Sequence, residues 1–137
     1  MIVWNLPSSS LVQRRRPRVL LVEDDPAVRV IVDRQLQALG WETVVVPNGE
    51  EAIRSVEAGA SVEVLLTDLH LPDLDGVAVA CAIAALAPAI GVVFMSGTAP
   101  KMQLEPHNAP FLLKPFSTAA LIHALNVAAS VAARYPR

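Results

Sequence analysis

The chain has 137 residues, of which 53% are hydrophobic and 4% aromatic, and this predicts one domain with a core of Val, Leu, Ile and Ala. Its formal net charge is −2, but four of the 11 basic residues are arginines between positions 14 and 18, so the rest carries 7 basic against 13 acidic residues. We therefore expect no nucleic-acid partner, and no membrane partner either, since no apolar run is long enough to span a bilayer.

The first 17 residues combine scattered apolar side chains, a Pro-Ser-Ser-Ser segment and the arginine cluster without any periodicity. We predict a flexible N-terminal extension at 1–17, or the product of an upstream start codon, before a single domain at 18–134 and a tail at 135–137. A tether to an acidic partner or to a membrane surface is the alternative that this composition leaves open.

Five short apolar runs predict β-strands, and apolar residues at helical spacing predict the helices between them. The predicted strands are 18–22, 41–46, 62–67, 90–95 and 110–113. Each predicted helix follows a side chain that can cap its first turn. These caps are Asp25, Asn48, Asp75 and Ser117, and Glu51 completes a capping box with Asn48.

The segment between the fourth and fifth strands carries Pro100, Pro106 and Pro110. A proline in a helix interior costs about 3 kcal/mol. The fourth helix is therefore predicted to be short, around 100–104, or absent.

Strands that alternate with helices predict a parallel sheet covered on both faces, with its ligand site beyond the carboxyl ends of the strands. Polar side chains stand at four of these ends: Glu23, Asp24 and Asp25, then Asp68, then Ser96, then Lys114. A carboxylate at the end of a buried strand costs several kcal/mol unless cations or hydrogen bonds meet it. We interpret Asp68 as a metal-assisted phosphoryl acceptor; the alternative for the acidic group is a solvated loop before a helix.

Four segments resemble the receiver domain of two-component response regulators, and the single-domain chemotaxis regulators in particular. They are VLLVEDDP at 19–26, LTDLHLPDLDG at 66–76, FMSG at 94–97 and FLLKPF at 111–116. The resemblance covers residue 18 to about 134 and implies a flavodoxin-like, doubly wound five-stranded sheet with the order 2-1-3-4-5. The family's fourth helix commonly belongs to its output and dimerisation face, so a shortened helix puts output by that surface in doubt.

The resemblance implies that Asp68 accepts a phosphoryl group from a histidine kinase or a histidine phosphotransfer protein, and that an unknown output protein follows. It also implies Mg²⁺ (or Mn²⁺), bound by Asp24, Asp68 and the backbone carbonyl of His70. Glu23 would hold a metal-bound water or act on the metal ion indirectly. The chain would thus assist its own phosphorylation and dephosphorylation without being an enzyme acting on other substrates.

The remaining roles implied by the resemblance concern neighbours of the acceptor. Lys114 would pair with Asp68 at rest and with a phosphoryl oxygen afterwards, and the bond before Pro115 is a candidate cis peptide. Ser96 would donate its hydroxyl to the phosphoryl group, and Phe111 would move in behind it as a switch. His70 and Thr98, two residues past Asp68 and Ser96, would tune the lifetime of the acyl phosphate.

Several readings of the function stay open. The chain ends just after the last predicted helix, which favours a stand-alone receiver without an effector domain; a receiver within a hybrid-kinase pathway differs only in its partner. A pseudo-receiver would bind partners without phosphorylation. An aspartate-nucleophile phosphatase would want a second carboxylate two residues after Asp68, where this chain has His70.

Two further features have structural consequences. The last helix has no Lys, Arg, Asp or Glu between residues 118 and 133, so Ala, Ser and Asn cover its outside, or it packs against a partner or a second copy. Cys81 is the one cysteine in the sequence and lies in an Ala- and Val-rich helix. We predict it to be a core residue, and a single cysteine fits a reducing cytoplasm.

Overall fold

The structure is a computed structural model that describes residues 16–101, 104–106 and 108–134, with side chains up to residue 130. The predictions for residues 1–15 and 135–137 lie outside the described residues. Within the described part, no helix is long and apolar enough to cross a membrane.

Strands and helices alternate along the described chain. They are β1 (Arg18–Val22), α1 (Pro26–Ala38), β2 (Glu42–Val46), α2 (Gly49–Glu57), β3 (Val64–Asp68), α3 (Gly76–Leu86), β4 (Gly91–Ser96), β5 (Phe111–Leu113) and α4 (Thr118–Arg134). The five strands are parallel and ordered β2-β1-β3-β4-β5, which confirms the predicted fold. The third strand begins two residues later than predicted and ends on Asp68 itself.

The central strands are apolar because both faces of the sheet are covered. Every residue of β3 and β4 is buried. One core cluster joins alternate strand residues to α1 and α4, for example Leu21 with Leu36 and Leu125. The other joins the opposite strand face to α2 and α3, for example Leu65 with Ala52 and Ile83. The carboxyl ends of the strands thus form one edge between two packed layers.

The connection from β4 to β5 has no helix in its described residues, 97–101, 104–106 and 108–110, in agreement with the prediction from its prolines. Leu104 is only 5% exposed and belongs to the core cluster on the α2 and α3 side. The Leu104 carbonyl accepts a hydrogen bond from the Ala109 amide at 2.9 Å. A loop side chain therefore covers this part of the sheet.

The predicted helix caps are confirmed. Asp25 accepts from the Ala27 amide at 2.9 Å, and Asp75 accepts from the Val77 amide at 2.7 Å. The Ser117 hydroxyl accepts from the Ala120 amide at 3.1 Å. The Asn48 side-chain oxygen accepts from the Glu51 backbone amide at 2.9 Å, and the Asn48 side-chain NH₂ donates to the Glu51 carboxylate at 3.1 Å.

The prediction that Cys81 is a core residue was wrong, because its side chain is exposed on α3. The helix buries Val79, Ala80 and Ile83, which lie on the other side of it. Since α3 carries no charged residue, its hydrophobic pattern does not mark which face turns to the sheet.

Candidate active site

The site lies where β1, β3, β4 and β5 end at the same edge of the sheet. Asp68 is the last residue of β3, is 5% exposed and stands opposite Met95 in the register with β4. Lys114 follows β5, and its backbone amide donates to the Ser96 carbonyl at 2.8 Å. Its bond to Pro115 is cis, as the resemblance implies. The parallel register therefore brings side chains from distant parts of the sequence to one edge.

The Lys114 ammonium contacts two buried carboxylates. It donates to Glu23 Oε1 at 2.7 Å and forms an ion pair with Asp68 Oδ2. Burial lowers the pKa of Lys114, but the hydrogen bonds that its ammonium donates to Asp68 and Glu23 outweigh this effect, and the net change in the pKa is upward. Burial raises the pKa of Glu23 despite the contact with Lys114. The ammonium is thus stabilised in its charged form, while Glu23 is held in a site that disfavours charge.

Backbone groups fix the other atoms of the two carboxylates. The His70 amide donates to Asp68 Oδ1 at 2.9 Å, and the Asp25 amide donates to Glu23 Oε2 at 3.1 Å. The Arg29 guanidinium donates to the Glu23 carbonyl at 2.9 Å and so holds the turn after β1. A Cβ on Gly76 would lie 2.2 Å from the Asp68 carbonyl, so the start of α3 packs directly on the end of β3.

Three carboxylates meet at this edge. One oxygen from each of Glu23, Asp24 and Asp68 lies within 4.8 Å of the others. Asp24 is exposed, whereas the other two are buried, so the cluster opens toward solvent on one side. Three hard oxygen donors facing one ammonium leave excess negative charge, and this donor set suits Mg²⁺ or Mn²⁺. Asp25 instead caps α1, as predicted.

Three of the other predicted site residues follow or end a strand at this edge, whereas Phe111 is the first residue of β5 and pairs in register with Phe94. Ser96 is 1% exposed, and its hydroxyl accepts a hydrogen bond from the Thr98 amide at 3.2 Å. The side chains of His70 and Thr98 are exposed. Phe111 is half-buried and packs against the core cluster that contains Leu104. The hydroxyl is thus held by the β4–β5 connection in this structure.

Two features of the site were missed by the sequence analysis. Glu23 contacts Lys114 directly, a contact that the sequence analysis did not predict. Asp73, assigned no role, hydrogen-bonds to the start of α2. Neither contact has a local signal, because each joins residues at least 23 positions apart.

An apolar groove of about 320 Å³ adjoins the site. Its lining includes Val28 and Ile31 of α1 together with Lys114 and Phe116. Ile31 is 61% exposed. The groove therefore offers an open apolar surface next to the ammonium that contacts Asp68.

A doubly wound sheet with this acidic edge and its lysine defines a receiver domain. The family model described as the response regulator receiver domain matches residues 19–126, so the chain belongs to that family.

Curated relatives include regulators and sensor kinases. The transcriptional regulatory protein PrrA of Mycobacterium tuberculosis is 34% identical over 110 residues, which cover 77% of this chain and 47% of PrrA. The sensor kinase CckA of Brucella abortus is 36% identical over 104 residues, covering 72% of this chain and 11% of CckA. The chain therefore spans less than half the length of these relatives.

Solved structures agree with this assignment. A response regulator receiver protein from Sinorhizobium medicae superposes with a TM-score of 0.79 at 25% identity, covering 85% of this chain and 97% of that one. The receiver domain of sensor histidine kinase PA1611 from Pseudomonas aeruginosa has a TM-score of 0.75 at 27% identity, covering 85% and 99%. That structure has a magnesium ion coordinated in its active site cleft.

Proposed function

We propose that this protein is a signalling switch that accepts a phosphoryl group on Asp68 from a phosphohistidine partner. The observation that carries the proposal is the position of the Asp68 carboxylate, which is buried at the end of β3, paired with Lys114 and clustered with Glu23 and Asp24. Phosphoryl transfer needs positioning and charge neutralisation more than covalent machinery, and this arrangement supplies both.

In the proposed reaction the bond between phosphorus and the donor imidazole breaks, and a bond between phosphorus and an Asp68 oxygen forms. The His70 amide and the Lys114 ammonium orient the carboxylate through its two oxygens. Asp24, Asp68 and the His70 carbonyl would hold Mg²⁺ or Mn²⁺, with Glu23 beside them. When bound, the ion neutralises charge on the phosphoryl oxygens. The donor imidazole leaves as neutral histidine after it takes up a proton.

After transfer, Lys114 would contact a phosphoryl oxygen in place of the carboxylate. The Ser96 hydroxyl would turn from the Thr98 amide, where it now accepts, and donate to a second phosphoryl oxygen. Phe111, which is half-buried and packs against the core cluster of Leu104, would move in behind that hydroxyl. The exposed His70 and Thr98 side chains would set how fast water reaches the acyl phosphate.

A histidine kinase or a histidine phosphotransfer protein is the proposed donor. The apolar groove between α1 and Lys114 supports this, because a donor must bring its imidazole next to Asp68. The relatives named as sensor kinases also support it. The proposal includes a cytoplasmic location, an unknown output protein and self-association through α4. The exposed Ile122 and Val127 of that helix favour the last point.

A pseudo-receiver that signals without phosphorylation is the second candidate, and an exposed apolar groove would serve it equally well. A small-molecule phosphatase is disfavoured, because the exposed side chain two residues past Asp68 is an imidazole and not a carboxylate.

Incubation with a small phosphodonor and Mg²⁺, followed by intact mass, tests the proposal. We expect a gain of one phosphoryl group in the wild type and none in Asp68→Ala. Asp33→Asn is the matched control, because Asp33 bonds Thr43 near the start of β2, away from the site. Continuous release of phosphate without an adduct would indicate a phosphatase. No adduct with any donor, together with retained partner binding, would favour the pseudo-receiver.

A further inference from the structure

The carboxylate of Asp73 joins the loop after β3 to the first turn of α2. Its Oδ1 accepts from the Gly49 amide at 3.0 Å, and its Oδ2 accepts from the Glu50 amide at 2.9 Å. Desolvation raises the pKa of Asp73, but the hydrogen bonds from backbone amides outweigh it, and the net change in the pKa is downward. The carboxylate therefore binds in its charged form at the positive end of a helix.

The N-terminus of α2 is capped by two side chains that are far apart in sequence. Asn48, the residue before the helix, accepts from the Glu51 amide through its side-chain oxygen. The amides of Gly49 and Glu50 would lack a hydrogen-bond acceptor in the helix itself, and Asp73 supplies it. The first turn of α2 is therefore completed by the loop that follows the phosphoacceptor strand.

Close packing supports the polar contact. A Cβ on Gly49 would lie 2.5 Å from Val79 Cγ2 and 3.2 Å from Leu74 Cβ. Only a residue without a side chain lets the loop tip and α3 approach α2 this closely. The tip residues Pro72, Asp73 and Leu74 are exposed, so little burial supplements the contact of the tip with α2.

The base of the same loop holds the acceptor. The His70 amide donates to Asp68 Oδ1 at 2.9 Å, and His70 forms an antiparallel bridge with Asp75. The Gly76 amide closes the base by donating to the Leu69 carbonyl at 2.8 Å. A seven-residue loop, 69–75, is thus fastened at its base to Asp68 and at its tip to α2.

We infer that Asp73 is a positioning residue for the phosphoacceptor. Its two-pronged contact with α2 fixes the loop tip, and the loop in turn fixes the His70 backbone against the Asp68 carboxylate. Loss of the contact lets the His70 amide move away from Asp68 Oδ1 and misaligns the carboxylate for phosphoryl transfer. The kinetic part of this inference rests on the proposed function, whereas the positioning of His70 does not.

Three variants test the inference, each studied at a temperature well below its unfolding transition. Asp73→Ala removes both hydrogen bonds, and Asp73→Asn keeps one acceptor oxygen while its NH₂ faces an amide N–H. Asn48→Ala is the matched control, because it removes the other cap of the same helix and leaves the loop untouched.

The first readout is amide hydrogen exchange by NMR without any phosphodonor. We expect the His70 amide to exchange about tenfold faster in Asp73→Ala, by an intermediate factor in Asp73→Asn, and at the wild-type rate in Asn48→Ala. The second readout is the rate of phosphorylation by a small donor. We expect it to fall about tenfold in Asp73→Ala and to stay at the wild-type rate in Asn48→Ala.

The outcomes separate the two proposals. Wild-type exchange at His70 in both Asp73 variants overturns the inference, even if Asp68 is phosphorylated. Equal effects of Asn48→Ala and Asp73→Ala also overturn it, because the cause is then the stability of α2. If the wild type accepts no phosphoryl group, the proposed function fails and the exchange comparison alone decides the positioning role. If Asp73→Ala does not fold, Asp73→Asn supplies both readouts.

Discussion

The Lys114 ammonium donates a 2.7 Å hydrogen bond to Glu23 Oε1 while it also pairs with Asp68. One cation thus serves two buried carboxylates that arrive from different strands, and Asp24 adds a third carboxylate to the same cluster. The stability of this edge of the sheet therefore depends on which positive charges are present.

Replacement of Lys114 by Met leaves Glu23 and Asp68 buried without their cation. We expect the free energy of unfolding to fall by about 3 kcal/mol in metal-free buffer, measured by urea denaturation, and to recover partly with Mg²⁺. Asp24→Asn is the control variant, because it removes one negative charge from the carboxylate cluster. We expect it to lower the free energy of unfolding by less than about 0.5 kcal/mol and to abolish the stabilisation by Mg²⁺. Equal stability of the wild type and Lys114→Met in metal-free buffer would contradict the prediction.

The pKa of Asp73 predicts an acid-dependent contribution to stability. Because its pKa in the folded state lies below the usual 3.8, the charged carboxylate stabilises the fold above that value. This stabilisation is lost as the pH falls through the lowered pKa. Urea denaturation of the wild type and Asp73→Asn should show a constant difference in the free energy of unfolding at neutral pH, shrinking below pH 3.8. A difference in the free energy of unfolding that grows on acidification would contradict a lowered pKa of Asp73.

Gly76→Ala places a Cβ 2.2 Å from the Asp68 carbonyl oxygen, and this backbone atom cannot move aside easily. We expect a loss of about 2 kcal/mol or more in the free energy of unfolding and a slower phosphorylation of Asp68. Gly91→Ala makes an equally close contact, 2.2 Å to the Ala128 carbonyl oxygen, at the start of β4. It should lose similar stability yet keep the wild-type phosphorylation rate when folded.

Leu104 tests whether the β4–β5 connection belongs to the core. It is 5% exposed, so Leu104→Ala should lower the free energy of unfolding by about 2 kcal/mol through lost burial and a residual cavity. Leu86→Ala, at a position that is 49% exposed, should cost less than about 0.5 kcal/mol. Urea denaturation of both variants gives the comparison. Equal costs would mean that the connection only lies over the sheet without packing on it.

Self-association through α4 predicts a mass that depends on concentration in analytical ultracentrifugation. Ile122 and Val127 are each 38% exposed, and a charge at either position should shift the protein to the monomer. Val30→Glu, at an exposed apolar position of α1, should leave the mass distribution unchanged. A wild type that is monomeric at all concentrations would refute dimerisation.

The sequence predicted the fold because each strand is a short apolar run and each helix start carries a capping side chain. Asp25 and Asp75 illustrate this, since a cap depends only on the next few residues. The collection of polar residues at the edge around Asp68 was predictable for a similar reason: parallel strands bring their carboxyl ends to one side.

Contacts that depend on the third dimension could not be predicted. The two-pronged contact of Asp73 needs the loop tip to reach α2, and nothing within a few residues of Asp73 indicates this. The exposure of Cys81 was missed because α3 is apolar all round and its pattern gives no direction. The contact between Glu23 and Lys114 depends on side-chain reach across strands, which residue types alone do not determine.

The shared cap of α2 has a consequence for the order in which the chain assembles. A helix of nine residues is marginal alone in water, and this one receives two of its terminal acceptors from a residue 23 and 24 positions further on. During synthesis, the first turn of α2 therefore becomes fully capped only after β3 and the loop that follows it have left the ribosome. A peptide spanning residues 47–58 should accordingly be mostly coil by circular dichroism.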